Sequence, residues 1–161
     1  MSVMRIETEF CPVWVAGVDD TITQISFTEL TGGQAHFPGG DAFAMQVTEY
    51  LAGARDHFEL NTEFPYGTAF QKQVWQAMQT IPYGETRTYK EIATLIGSPK
   101  AQQAVGQAAK RNPLPFVYPC HRIMGANGKL TGFFGNSEYG LDIKKRLALH
   151  EQKSRQLSLF A

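Results

Sequence analysis

The chain has 161 residues, 43% hydrophobic and 19% charged, with 15 Lys plus Arg balanced against 15 Asp plus Glu. Eleven Phe and a modest charge exclude a disordered, collagenous or coiled-coil chain, and no apolar run approaches the roughly 20 residues of a membrane span. Two cysteines, Cys11 and Cys120, make neither a disulfide framework nor a four-ligand zinc site. The first residues lack the basic-then-apolar layout of a secretory signal, so a soluble cytoplasmic protein is expected. The zero balance hides an asymmetry. Residues 1–68 hold two bases against ten acids, a net of −8, and residues 69–161 hold 13 bases against five acids, a net of +8. A neutral protein can still approach nucleic acid through its basic half, because the electrostatic footprint is local. Charge alone favours a dipolar surface with no partner over nucleic-acid binding.

In chain order, residues 13–18 and 21–27 read as two strands around the acidic turn Asp19, Asp20. Gly32, Gly33 and then Pro38, Gly39, Gly40 punctuate a loop. Residues 42–54 carry Phe43, Val47 and Leu51 at helical spacing, and 58–64 reads as another strand. This first segment is a small sheet with one helix, and Cys11 and His57 in it have no reactive neighbours in sequence. The second segment is a succession of helices. Thr68 and Gln71 form a capping box that opens one, with Phe70, Val74, Met78 and Ile81 on one face until Pro82, Tyr83 and Gly84 stop it. Thr88 and Glu91 form a second capping box, and that helix ends near Gly97. Ser98 as cap and Pro99 at the first helical position predict a helix over 99–110. Two helices joined at Gly97 have the pattern of a helix-turn-helix. The second carries Ala101, Ala104, Gly106, Ala108 and Ala109 among three Gln; so narrow a helix fits a groove, or packs against a neighbour.

The densest chemistry is at 112–122. Residues 114–118 read as a short buried strand between prolines that delivers Cys120 and His121 at its end. A free thiol is only a few per cent thiolate near neutral pH; lowering its pKa by about two units, roughly 2.7 kcal/mol, makes it mostly thiolate. His121 and Arg122 are the expected source of that field. In isolation the pair reads equally as an inert buried thiol beside a structural His. In the last helix Ile143, Leu147 and Glu151 lie at i, i+4 and i+8, so Glu151 continues an apolar stripe. An inward carboxylate needs a partner, and His121 supplies one. Cys120, His121 and Glu151 then follow the logic of nucleophile, base and orienter.

These residues resemble those of the O6-alkylguanine-DNA alkyltransferases, also called methylated-DNA–protein-cysteine methyltransferases. The resemblance rests on Pro119 to Arg122, on Asn112 and Pro113 before the Cys, and on Ile81 to Gly84. It extends to Thr88 and Tyr89, Ala104 to Gly106, and Leu149 to Glu151. It is close over 69–151 and general in layout before that. It implies an α+β protein: an RNase H-like amino-terminal domain (1–67), a mainly helical alkyltransferase domain with the helix-turn-helix (68–153), and a tail (154–161). It implies a monomer that binds double-stranded DNA in the minor groove and flips out the damaged base. Cys120 then takes the alkyl group of O6-alkylguanine, or of O4-alkylthymine, irreversibly and once. His121, held by Glu151, takes the thiol proton through a water; Tyr89 hydrogen-bonds guanine N3; Asn112 braces the Cys-bearing segment. Gln103, Ala104, Gly106, Lys110, Arg122 and Phe133 are the expected DNA and substrate contacts. No cofactor is needed, because the lesion carries the activated alkyl group, and no metal is expected, although some relatives bind a structural zinc.

Three positions depart from the family pattern. Gln103 stands where an Arg usually enters the vacated stack, and keeps hydrogen-bonding capacity without a planar cation. Phe133 replaces a common pocket Tyr, and the loop 132–140 is about four residues longer than usual. Two other functions compete. A lesion sensor that flips the base without repairing it conflicts with the presence of Cys120, His121 and Glu151. A Cys–His hydrolase leaves Tyr89 and the basic half unexplained.

Overall fold

The computed structural model describes residues 1–125 and 138–159. They form two compact units, one of 1–66 with Pro113–Val117, the other of Gly67–Asn112 with the chain from Tyr118 onward. Together they hold five α-helices, a small sheet and a two-stranded ribbon.

In the first unit, β1 (Ser2–Ile6), β2 (Val13–Val18) and β3 (Thr21–Ser26) run antiparallel in sequence. Two-residue strands β4 (Gly33–Gln34) and β5 (Asn61–Thr62) pair parallel at the edges, giving the order β4-β1-β2-β3-β5. The turn between β2 and β3 is the expected one, with Asp19 at φ +52°, a left-handed position that Asp tolerates. β1 was not anticipated, and the strand expected over 58–64 shrinks to Asn61–Thr62.

Helix α1 (Pro38–Leu51) begins four residues before the expected start at 42, with Pro38 in the first turn. The glycines that read as a loop lie inside the helix because the helix start presses on its neighbours: a Cβ on Gly40 would lie 2.4 Å from the Met4 sulfur. Phe43 and Val47 are fully buried on its inner face. The segment Pro113–Val117 completes this core. Ile25 N–H donates to the Pro113 carbonyl at 2.8 Å. Phe116 sits with its ring centroid 5.4–5.9 Å from those of Phe27, Phe43, Tyr50 and Phe58. This overturns the strand expected over 114–118: the segment is a series of turns with Phe116 at φ +73°. Pro113, Pro115 and Pro119 lack the N–H groups a ladder needs, and aromatic packing holds Phe116 in a conformation that costs about 1–3 kcal/mol.

In the second unit α2 (Ala69–Met78) and α3 (Tyr89–Leu95) start on the two expected capping boxes, with both reciprocal bonds formed in each. α2 buries Val74, Trp75 and Met78, and the Trp75 indole N–H donates to the Ala108 carbonyl at 2.8 Å. α3 ends in a Schellman turn: Gly97 N–H donates to Thr94 and Ser98 N–H to Ala93. α4 spans Gln102–Lys110, three residues later than Ser98 and Pro99 predict. Ala101 N–H closes a turn on the Ser98 carbonyl at 2.9 Å, so residues 98–101 belong to the connection. α5 (Glu138–Leu159) continues through most of the segment expected as a tail. No helix among the described residues is long and apolar enough to cross a membrane.

Candidate active site

Cys120 opens a single 3-10 turn, Cys120–Arg122, which leads directly into β7 (Ile123–Met124). β7 pairs parallel with β6 (Arg87–Thr88), aligning Arg87 with Ile123 and Thr88 with Met124. This ribbon ties Thr88, the cap of α3, to the strand that follows the reactive turn, and so brings Tyr89 into the same neighbourhood. Sequence periodicity carries no signal for two-residue strands paired 36 positions apart, and the ribbon was missed.

The Cys120 N–H donates to the Tyr118 carbonyl at 2.8 Å, and the Asn112 amide donates to that same carbonyl at 2.7 Å. Asn112 thus clamps the backbone two residues before the nucleophile. Cys120 is buried, and burial pushes its thiol up, outweighing the opposing pull of an Asn112 hydrogen bond and of the Lys144 charge. The shift is opposite to the lowering expected from His121 and Arg122, neither of which is among its causes. The group is stored as a thiol and must lose its proton when it reacts.

His121 and Glu151 are each 1% exposed, with Nε2 and Oε2 2.7 Å apart. Burial acts to raise the Glu151 pKa, but the hydrogen bonds from His121 and Arg122 and the Arg122 charge act against it, and the carboxyl lies well below the usual range. An ionised carboxylate only accepts, so the imidazole proton lies on Nε2. The Arg122 guanidinium grips the same carboxylate twice, Nε to Oε1 at 2.8 Å and Nη2 to Oε2 at 2.9 Å, and its Nη1 donates to the Ile81 carbonyl at 2.8 Å. The Gly84 N–H adds a bond to Oε1 at 3.2 Å. Arg122 was expected to contact substrate or DNA; in the structure its guanidinium is engaged by Glu151 and Ile81, with the side chain 11% exposed.

Gln103 and Ala104 lie on the exposed side of α4, Gly106 and Lys110 are half-buried, and Val105, Ala108 and Ala109 face inward. Tyr89 is half-buried, 3.9 Å from where a Cβ on Gly106 would lie. Phe133 and most of the loop 132–140 fall outside the described residues.

Sequence reasoning missed Lys144, which is fully buried on α5. A signal was present: Lys144, Leu147 and Glu151 stand at i, i+3 and i+7, one face of a helix. Among the described residues no group of three or more His, Cys, Asp or Glu side chains is arranged to hold a metal ion.

Residues 69–153 match the model of the 6-O-methylguanine DNA methyltransferase DNA-binding domain. A methylated-DNA–protein-cysteine methyltransferase of Methanosarcina acetivorans is 42% identical over 151 residues, covering 88% of this chain and 92% of that protein. The chain belongs to the methylated-DNA–protein-cysteine methyltransferase family. Its fold agrees with the crystal structure of the Mycobacterium tuberculosis O6-methylguanine methyltransferase, at 35% identity and a TM-score of 0.86 over 99% of both chains. A structure of the methyltransferase from that organism in complex with DNA matches at 37% identity and a TM-score of 0.85 over the whole of both chains. Cys120, His121 and Glu151 are all buried, and the His121 imidazole meets the Glu151 carboxylate beside the thiol-bearing residue in sequence.

Proposed function

We propose that this protein repairs DNA directly, moving the alkyl group of O6-alkylguanine, and of O4-alkylthymine, onto Cys120. The observation that carries the reading is the buried His121–Glu151 pair at 2.7 Å, adjoining a cysteine that burial keeps protonated. Glu151 fixes the imidazole with its proton on Nε2, which reserves Nδ1 to take the thiol proton, through a water. The sulfur then attacks the alkyl carbon, the carbon–O6 bond breaks, and its electron pair leaves with the guanine. The Tyr89 hydroxyl, directed to guanine N3, offsets the charge gathering on the departing base. Asn112 keeps the Cys120 backbone in place during the displacement. The product is a thioether, which thiol exchange does not reverse, so each molecule acts once.

The remaining parts are assigned on the same reading. α3 and α4 act as a helix-turn-helix that enters the minor groove of duplex DNA, presenting Gln103 and Ala104 on the exposed side of α4. Gly106 and Lys110 line its margin, and Phe133 walls the base pocket. The first unit is an RNase H-like support. The protein works as a monomer in the cytoplasm.

Intact-protein mass spectrometry after exposure to an O6-methylguanine oligonucleotide tests this. One methyl, ~14 Da, is expected on Cys120 at a stoichiometry of one, and Cys120→Ser gains none. Tight binding with no mass change overturns repair in favour of a lesion sensor.

A further inference from the structure

Lysine is almost never fully buried unless paired, and Lys144 is 0% exposed. It lies seven residues before Glu151 on α5, two helical turns and roughly 10.5 Å along the same face. That face turns a cation and an anion toward the dipeptide Cys120–His121. Glu151 holds His121, while the Lys144 charge acts on Cys120 and favours its thiolate. The ammonium also stands over the Tyr89 ring, 5.7 Å from its centroid.

Moving a proton from Cys120 to His121 creates a thiolate and an imidazolium. The cation sits by the first and the anion by the second, so both charges of α5 favour the separated state. A cation over the Tyr89 ring likewise stabilises a phenol that is giving up its proton. We propose that Lys144 is a positioning residue for alkyl transfer, its buried ammonium setting the charge state of the Cys120 sulfur and of the Tyr89 phenol together. The inference rests on the repair reading for its reaction, though not for its effect on the thiol.

The proton needed for this role is only loosely held. Burial lowers Lys144 to about 8, against the pull of Cys120 in the other direction. Among the described residues, Cys120 on the reactive turn and Tyr89 at the start of α3 face it. On its own helix Asp142 and Arg146 meet each other at 4.0 Å on the exposed side, and Glu151 engages His121 and Arg122. Raising the pH past the Lys144 value therefore removes the cation from beside Cys120 and Tyr89.

Two measurements on Lys144→Met and Lys144→Arg test the assignment. In the first, the pH dependence of Cys120 carboxamidomethylation by iodoacetamide is followed by peptide mass spectrometry, which separates Cys120 from Cys11. The Met variant should titrate about one pH unit higher, a roughly tenfold smaller thiolate fraction at neutral pH, and Arg should restore the wild-type curve. In the second, single-turnover transfer from free O6-benzylguanine should slow about tenfold in the Met variant near neutrality. The wild-type rate should decline above about pH 8, and the Met variant should lack that decline. An unchanged Cys120 titration in the Met variant overturns the proposal, as does a slowing that is equal at every pH and not restored by Arg. Should neither variant fold, the wild-type profile decides, and a rate that keeps rising through the Lys144 range overturns it. A wild-type protein that transfers no alkyl group overturns the repair reading, while the iodoacetamide titration still judges Lys144.

Discussion

Glu151 is the residue on which the reactive turn depends, because His121, Arg122 and the Gly84 amide all converge on its carboxylate. Removing one partner of a buried ion pair leaves the others uncompensated, which costs about 3 kcal/mol or more. Glu151→Gln should therefore lower the unfolding free energy by that order in urea titrations near neutral pH. The folded-state pKa of Glu151 lies below its unfolded value of 4.5. Its stabilisation is thus complete above the unfolded value and is lost as the pH falls toward the folded one. The gap between wild type and Glu151→Gln should be widest near neutrality and narrow steadily below about pH 4.5; a gap that widens with acid contradicts the ionised carboxylate. At this scale the sequence was readable where chemistry demanded a partner. An acid on an apolar stripe pointed to His121, and the distance of 2.7 Å agrees. The engagement of Arg122 with Glu151 was not foreseen, because an Arg gives no sign in sequence that its guanidinium will turn inward. The thiol was misread as well, since burial depends on what packs around Cys120 rather than on its neighbours in the chain.

Elements whose ends are set by local chemistry were legible. The capping boxes at Thr68 and Thr88 and the glycine stop at Gly97 fix their own boundaries within four residues. Elements defined by distant partners were not. β1 pairs with β4 and β2, the β6–β7 ribbon joins residues 36 apart, and of the glycines that open α1, Gly39 answers to Asp20 and Gly40 to Met4. α4 shows both sides of this: its buried face follows from Val105, Ala108 and Ala109, yet its start is displaced because residues 98–101 close their own turn. The exposed side of α4 carries Gln103 with no charge of its own. Unstacking a base costs a few kcal/mol, and a planar cation supports the vacated stack better than an amide. Gln103→Arg should raise affinity or repair rate on duplex DNA while leaving transfer from free O6-benzylguanine unchanged. Single-turnover kinetics on both substrates measure this, and equal or slower duplex repair refutes the role given to position 103.

At the scale of the whole molecule the charge division of the sequence coincides with the structural one. Pro113–Val117 carries no charge, so the first unit keeps the net of −8 and the second the net of +8. What the sequence could not disclose is that the partition of the chain is not a single cut. Five residues of the later half belong to the earlier unit, inserting Phe116 among Phe27, Phe43, Tyr50 and Phe58. Leu114 and Phe116 are 0% and 5% exposed there, and burying two such side chains is worth about 3–6 kcal/mol. The gene can therefore be split where the composition changes, but the halves should not be independent. A polypeptide of residues 67–161 should bind an apolar dye and alkylate poorly alone. Adding separately expressed 1–66 should abolish the dye binding and restore alkyl transfer, with a one-to-one end point by titration calorimetry. Native activity of 67–161 by itself contradicts this. With Phe116→Ala in the longer fragment the titration should weaken, making this pair of fragments a reconstitution assay whose signal is covalent and permanent.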